Sequence, residues 1–154
     1  MLKQGFSLRK SSPTFIITGF LFILSSFNLS PGGLVNDVLS YTNQFRRSKG
    51  KAELIMRDDL NAIARKHSEN MAKGRTGFGH GGFDQRHSQV KRIFKSCTMA
   101  ENVAYGASDG REAVKIWKNS SGHRSNMLGN YKYIGIGTAK DRRGTIYYTQ
   151  IFVR

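Results

Sequence analysis

The chain has 154 residues, of which 38% are hydrophobic, so it is long enough for one domain with a core. This composition excludes a protein that is largely embedded in a membrane. The formal net charge is +15, which favours an anionic envelope polymer or lipid as the partner. Because the basic residues are scattered and do not alternate with aromatic residues, we do not expect nucleic-acid binding. We expect a monomer.

The N-terminal segment is typical of an export signal. Three basic residues precede the uncharged stretch TFIITGFLFIL, and small residues follow it. The stretch is shorter than the roughly 20 apolar residues of a membrane span. We therefore interpret residues 1–30 as a signal peptide, with an uncleaved N-terminal anchor as the alternative. The sequence predicts a secreted, periplasmic or cell-envelope protein with a single domain over residues 31–154.

Two amphipathic helices are predicted at the start of this domain. Apolar side chains recur at helical spacing over residues 34–45. The stretch ELIM, residues 53–56, is interpreted as a short extended link. Asp58 or Asp59 is then the expected N-cap of a second helix, which Gly74 ends.

Three of the histidines lie in the second helix and the segments that follow it. His67 falls on the apolar stripe of the second helix and is predicted to be a buried core histidine. His80 lies in GRTGFGHGGFD, residues 74–84, where glycines allow close backbone approach and two phenylalanines predict an anchored loop. His87 falls in a charged short helix over residues 85–95 and is expected to be solvated.

A buried acidic residue and a capped helix are predicted next. Glu101 in MAENVAYG is expected to be buried, and burial raises the pKa of a carboxyl group unless the group is paired. The stretch GASDG matches the serine-hydrolase motif G-x-S-x-G, but a chain this short cannot build the large sheet of that fold. Ser108 and Asp109 instead predict a helix cap, with Glu112 completing a capping box. The helix is predicted to bury Ala113, Val114, Ile116 and Trp117.

The last segment predicts a β-hairpin. YKYIGIGTA and TIYYTQIFVR are rich in β-branched and aromatic residues, and KDRRG between them is a turn. Since helices come first and strands last, the fold class is α+β, with helices covering a small antiparallel sheet. The single cysteine, Cys97, cannot form an intramolecular disulfide and is interpreted as a small apolar residue.

His80 and His123 are the two histidines in glycine-rich, polar contexts. The helical zinc-protease pattern H-E-x-x-H is absent. Two neutral imidazoles with water, together with a carboxylate such as Glu101, would form an open site for zinc or another divalent metal. Glu101 could orient a histidine, act as a catalytic base, or serve as a structural hydrogen-bond acceptor. At the level of the residues these alternatives stay open.

Four motifs occur in order along the domain. They are ENVAYG at 101–106, W-x-x-S-x-G-H-R-x-N-M-L at 117–128, IGIG at 134–137 and YYTQIF at 147–152. Together they resemble the CAP superfamily, also called SCP/TAPS, which groups cysteine-rich secretory proteins, antigen 5 and plant pathogenesis-related proteins. The chain is most similar to the compact bacterial members, which lack disulfides, and the resemblance covers residues 33–154.

The resemblance implies an α-β-α sandwich with a central cleft that holds two histidines and two acidic residues. On this chain it implies His80 and His123 as the histidines, hence as metal ligands, and Glu101 as the first acidic residue. The second acidic position is Ser120 here, which weighs against a mechanism that needs two carboxylates. Ser120 and Asn126 are expected to support a turn that presents His123 after the capped helix.

Three functions remain open on the sequence. The first, implied by the resemblance, is a secreted or envelope-associated CAP-domain protein whose cleft binds a divalent metal or a small or lipid ligand, without established enzymatic activity. The second is a metal-dependent, protease-like hydrolase that uses His80, His123 and Glu101. The third is a basic protein that binds an envelope polymer. The incomplete acidic set favours a protein that is not an enzyme.

Overall fold

The computed structural model describes residues 31–154, so the predicted signal peptide or anchor at residues 1–30 lies outside the described residues. The described part forms five helices and four strands. In chain order they are α1 (Pro31–Ser48), β1 (Ile55–Met56), α2 (Asp58–Ala72), α3 (Phe83–Phe94), β2 (Met99–Tyr105), α4 (Gly110–Asn119), α5 (Ser121–Leu128), β3 (Tyr133–Lys140) and β4 (Ile146–Val153). None of these helices is long and apolar enough to cross a bilayer.

The strands form one sheet in the order β1-β3-β4-β2. The predicted hairpin is confirmed, because β3 and β4 pair antiparallel up to Lys140 and Ile146, and Gly144 occupies a positive φ of 85° in the turn. Strand β2 pairs antiparallel with β4, so Glu101 lies on an edge strand. The two residues of β1 pair parallel with β3, which adds one parallel pair to an otherwise antiparallel sheet.

Helices cover both faces of this sheet, as the α-β-α sandwich requires. On one face, side chains such as Ile136 and Phe152 join a core with residues of α1, α4 and α5. On the other face, Ile151 and Val153 pack with residues of α2 and α3. Alternate residues of β4 therefore serve the two cores, which is the period of a strand buried on both sides. Cys97 is partly buried beside the second core, as a small apolar residue would be.

The glycines of IGIG bring α2 unusually close to the sheet. A Cβ atom at Gly135 would lie 2.4 Å from the backbone carbon of Leu60, and one at Gly137 would lie 2.0 Å from the backbone nitrogen of Arg65. Any side chain at these positions would push the helix away, because such distances are far inside van der Waals contact. The helix–sheet spacing therefore depends on these two glycines.

Helix α4 begins at the predicted cap. The Asp109 carboxylate accepts the Glu112 N–H at 2.8 Å, and the Glu112 carboxylate accepts the Ser108 N–H and hydroxyl at 2.8 and 2.9 Å. Trp117 is fully buried and donates its indole N–H to the Val103 carbonyl at 3.0 Å. The prediction for Ile116 is wrong, since it is 41% exposed.

Three local predictions differ from the structure. Helix α2 begins at Asp58 with Arg57 as the N-cap, so both aspartates lie in its first turn, and Asp59 accepts the Leu60 N–H. The segment with Glu101, to which no element was assigned, forms β2 by pairing with β4. The segment after α4, expected to be a turn, is the short helix α5. A helix of 8 residues is marginal by itself, and tertiary hydrogen bonds hold this one in place.

Candidate functional site

Glu101 is the centre of a buried charge cluster. Its register with Ile151 points its side chain toward the layer of α2 and α3. Arg86 from α3 binds it in a bidentate manner, with Nε 2.6 Å from Oε2 and Nη2 2.7 Å from Oε1. Both residues are buried, at 4% and 7% exposure. The Arg86 guanidinium thus supplies the counter-charge that a buried carboxylate needs.

Arg86 was missed as a site residue in the sequence. Its spacing carried a signal, because Arg86, Val90 and Phe94 recur every four residues along α3 and lie on one face of the helix. An arginine in register with two apolar residues faces the core, where it requires an acidic partner. The sequence offers no means to tell which acidic residue that partner is.

His80 is the second partner of Glu101. Its Nδ1 lies 2.9 Å from Glu101 Oε1, and its side chain is 51% exposed. Because the carboxylate is an acceptor, His80 donates its Nδ1–H, and the neutral ring then carries its free lone pair on Nε2. Glu101 therefore orients a half-exposed imidazole, which is the role of a carboxylate behind a metal-bound histidine.

The glycine-rich loop that carries His80 is fastened to the core. His67 Nε2 donates to the Gly79 carbonyl at 2.8 Å, and Arg86 Nη1 donates to the Gly81 carbonyl at 2.8 Å. Gly79 and Gly82 adopt φ angles of 133° and 77°, which side-chain-bearing residues rarely adopt. The loop is anchored, as its composition predicted, and its anchors are polar groups from α2 and α3.

His67 is buried, as the sequence predicted, and it remains neutral. Burial lowers its pKa, and the nearby Arg86 guanidinium lowers it further. Its Nε2 lies 3.8 Å from Glu101 Oε1, but a neutral imidazole forms no ion pair across that distance. His67 positions the loop, and the charge on Glu101 is balanced by Arg86.

His123 is presented by α5, which two asparagines fasten to β2. Asn102 Nδ2 donates to the His123 carbonyl at 3.1 Å, while Asn126 Nδ2 donates to Asn102 Oδ1 at 2.9 Å and to the Glu101 carbonyl at 3.2 Å. Burial lowers the pKa of His123, and the neighbouring imidazole of His80 lowers it further. The structure thus brings His80, Glu101 and His123 to one edge of the sheet.

Ser120 and Asn126 support the site in a way that differs from the sequence prediction. Ser120 joins α4 to α5 through its backbone, because its N–H donates to the Trp117 carbonyl and its carbonyl accepts the Arg124 N–H. Its side chain forms no capping hydrogen bond. Asn126 bonds β2 rather than the amides of a turn. Ser120 thus has a hydroxyl group at the position where the resemblance implied a second carboxylate.

The donor set does not fit a site with three protein ligands. In residues 31–154 no group of three or more His, Cys, Asp or Glu side chains could hold a metal ion. Glu101 already accepts hydrogen bonds from Arg86 and His80 on its carboxylate. A metal bound here would have to be held by the two imidazoles and completed by water or a ligand.

His87 lies outside the cleft, on α3. It was expected to be solvated, yet it is only partly exposed, and its Nε2 is buried without a hydrogen-bond partner among the described residues. Its ring lies 6.0 Å from that of Phe83 in the same helix, so local packing covers it.

Residues 39–152 match the sequence profile described as the cysteine-rich secretory protein family, CAP. Two Bacillus subtilis proteins are similar: an uncharacterized membrane protein, YlbC, is 35% identical over 76% of this chain, and an uncharacterized protein, YkwD, is 34% identical over 75%. The chain covers 33% and 45% of these two relatives, so it spans less than half of their length.

Solved structures share the fold. An extracellular protein with an SCP domain from Bacillus anthracis superimposes with a TM-score of 0.69 at 26% identity, over 80% of this chain and 41% of that protein. An outer surface protein from Borrelia burgdorferi superimposes with a TM-score of 0.63 over 77% of this chain and 92% of that protein. At 20% identity, the second likeness concerns the fold alone.

Proposed function

Because this chain belongs to the CAP family, we propose that it is an exported protein of the cell envelope that binds a ligand between His80 and His123 without catalysing a reaction. The basic and apolar N-terminal segment supports export. So do the names of similar proteins, which include an extracellular protein, an outer surface protein and a membrane protein.

The bidentate contact of Arg86 with Glu101 is the observation that carries the proposal. A general base must reach the proton that it accepts from water or substrate, and a carboxylate becomes less basic when a cation is paired with it. Glu101 is buried, its charge is balanced by Arg86, and its oxygens accept from Arg86 and His80. It therefore serves to orient His80, and the position of a second carboxylate is taken by Ser120.

The proposed ligand is a divalent metal such as zinc, on its own or as the link to a small anionic ligand. His80 would contribute Nε2, since its Nδ1–H is directed at Glu101. The lowered pKa of His123 keeps that imidazole neutral at physiological pH, as a metal ligand must be. A bound zinc ion would supply a Lewis-acidic contact for a carboxylate or carbonyl of the ligand.

A metal-dependent hydrolase is the less supported alternative. Catalytic zinc sites have three protein ligands and a carboxylate that is free to activate water. Here the cleft offers two imidazoles, and its only carboxylate among the described residues is paired with Arg86. Binding without turnover requires neither of the missing groups.

The test is a zinc titration by calorimetry on the full chain at neutral pH. We expect the wild type to bind one equivalent, and His80→Ala and His123→Ala to weaken binding by about tenfold or more, since each removes one of two protein ligands. His87→Ala is the matched control, because it removes a histidine that lies outside the cleft.

Two results would contradict the proposal. Zinc binding that is unchanged in the double variant His80→Ala/His123→Ala would remove the site. Turnover of peptide or ester substrates that a chelator abolishes and His80→Ala removes would make the protein a hydrolase.

A further inference from the structure

A second surface, whose residues take no part in the cleft, lies where α2 ends and the chain turns from β3 into β4. It is a concave region of about 750 Å³. We call it the basic basin and define it by five cationic residues: Lys73, Arg75, Lys140, Arg142 and Arg143. All five are exposed, and the one carboxylate in the lining is that of Asp141.

The cations of the basic basin are not neutralised by the described part of the protein. None of the five forms an ion pair within residues 31–154, whereas Arg57 and Arg86 elsewhere are paired with Asp59 and Glu101. Asp141 uses its Oδ1 to accept the Arg143 and Thr145 backbone N–H groups at 2.8 and 2.9 Å, which shapes the turn. Clustered like charges on a concave surface produce a positive potential that attracts anions.

An exposed aromatic pair lies at the same end of the sheet. Phe78 and Tyr105 are 52% and 54% exposed, and their ring centroids are 4.7 Å apart. Tyr105 stacks on Tyr147 at 5.7 Å. Strand register places Tyr147 opposite Ala139, the residue before Lys140 of the basin. The two exposed rings are in contact, so they form one small apolar surface at this end of the sheet.

From this combination we infer that the basic basin and the Phe78–Tyr105 pair bind a strand of acidic polysaccharide. The five cations complement its repeated anionic groups, and arginines suit carboxylate or phosphate by their bidentate geometry. The apolar face of a sugar ring packs on an aromatic ring, and the tyrosine hydroxyl can hydrogen-bond with the polar groups at the edge of the sugar.

Two other polyanions fit the surface less well. A bilayer is flat and cannot follow a concave basin, whereas a single polymer strand can enter it. Single-stranded nucleic acid needs a series of open ring faces, and here Tyr147 covers one face of Tyr105. The preference for a polysaccharide over nucleic acid also rests on the proposed export. The surface goes beyond the cleft function, since it uses neither His80 nor His123.

The experiment measures binding of the full chain to labelled alginate, a polyuronate, by fluorescence anisotropy. We expect binding that weakens with salt, and a loss of about tenfold or more in Arg142→Glu/Arg143→Glu. The matched control is Lys49→Glu/Lys51→Glu, which makes the same change in net charge near β1, at the opposite end of β3. Thermal melts verify that both variants remain folded.

A second pair of variants tests the aromatic contribution. Phe78→Ala/Tyr105→Ala should weaken alginate binding and leave binding of polyphosphate, a polyanion without rings, unchanged. Ile116→Ala is the control, because it removes an exposed apolar side chain that lies on α4.

Three outcomes would overturn the inference. Equal losses in the two charge-reversal variants would reduce the effect to net charge. Binding of oligothymidylate, or of vesicles containing phosphatidylglycerol, in place of alginate would assign the basin to nucleic acid or to membrane. A zinc titration of the same variants distinguishes this inference from the proposed function of the cleft. A variant that loses alginate binding and still binds zinc is changed in the basic basin alone.

Discussion

The chemistry of Glu101 is decided by the two side chains that contact it. Arg86 balances the charge of Glu101 in the core, and the Nδ1–H of His80 donates a hydrogen bond to Glu101 Oε1 at 2.9 Å. The bidentate pair with arginine is a strong, geometrically specific contact, and it holds the Glu101 carboxylate in one orientation. The same residue therefore links stability to function, since the group that pairs with Arg86 also orients the ring of His80.

Glu101→Gln is expected to lower the free energy of unfolding by about 3–5 kcal/mol, because it leaves the Arg86 charge buried without a counter-charge. Chemical denaturation measures the loss. The control is Asp59→Asn, whose partly exposed pair with Arg57 should contribute much less, because water screens it. Adding Arg86→Met to Glu101→Gln should cost less than the sum of the single changes. Additive losses would show that the two side chains are independent.

At the scale of elements, the spacing between α2 and the sheet determines where the site forms. Helix α2 carries His67, whose bond to the Gly79 carbonyl fastens the loop of His80. The helix can reach this position because Gly135 and Gly137 leave room for its backbone. On the other face, α5 is fastened to β2 by Asn102 and Asn126, so both histidine-bearing segments are held against the same edge strand.

Gly137→Ala should destabilise the fold by about 1–3 kcal/mol or more, since its Cβ would lie 2.0 Å from the Arg65 nitrogen and would force α2 outward. The displacement should also weaken zinc binding by loosening the loop of His80. Gly122→Ala is the matched control, because no atom lies within 4 Å of its Cβ and it occupies a helix. Thermal unfolding compares the two, and equal melting temperatures would contradict the close approach of α2.

At the scale of the whole molecule, the burial of His67 and His123 predicts how the free energy of unfolding depends on pH. Burial lowers the pKa of both His67 and His123 in the folded state. Above about pH 6.5 both are neutral whether the chain is folded or unfolded, and they make no pH-dependent contribution. Below that pH the unfolded chain takes up protons first, so the free energy of unfolding decreases as the pH falls toward the folded-state pKa values.

We therefore expect the melting temperature to decrease between about pH 7 and about pH 5. In this pH range the change in stability comes from the histidines. Asp59 and Glu112 affect stability at lower pH, because hydrogen bonds to Arg57 and Ser108 lower their pKa values. His67→Gln/His123→Gln should flatten the decrease, because neither glutamine titrates. A melting temperature that rises as the wild type is acidified would contradict the burial of these rings.

Much of the architecture could be predicted from local pattern. Apolar periodicity located α1, α2 and α4, and the turn residues between two β-rich runs located the hairpin of β3 and β4. These elements satisfy their own backbone hydrogen bonds or pair with a neighbour in sequence, so a short window contains the cause. Strand β2 and helix α5 were missed because each depends on distant partners: β4 for the strand, and Asn102 for the helix.

The sequence by itself determined the fold class, the buried tryptophan, the helix cap at Asp109 and, through the family motifs, the candidate set of His80, Glu101 and His123. Only the tertiary structure decided which side chains contact Glu101. Arg86 lies 15 residues away along the chain and its bidentate contact depends on α3 packing against the edge of the sheet. The basic basin is likewise formed by two segments that are distant in sequence, residues 72–75 at the end of α2 and residues 140–143 at the hairpin turn. Partners that are remote in sequence and close in space set a residue's charge and exposure, and no local pattern records them.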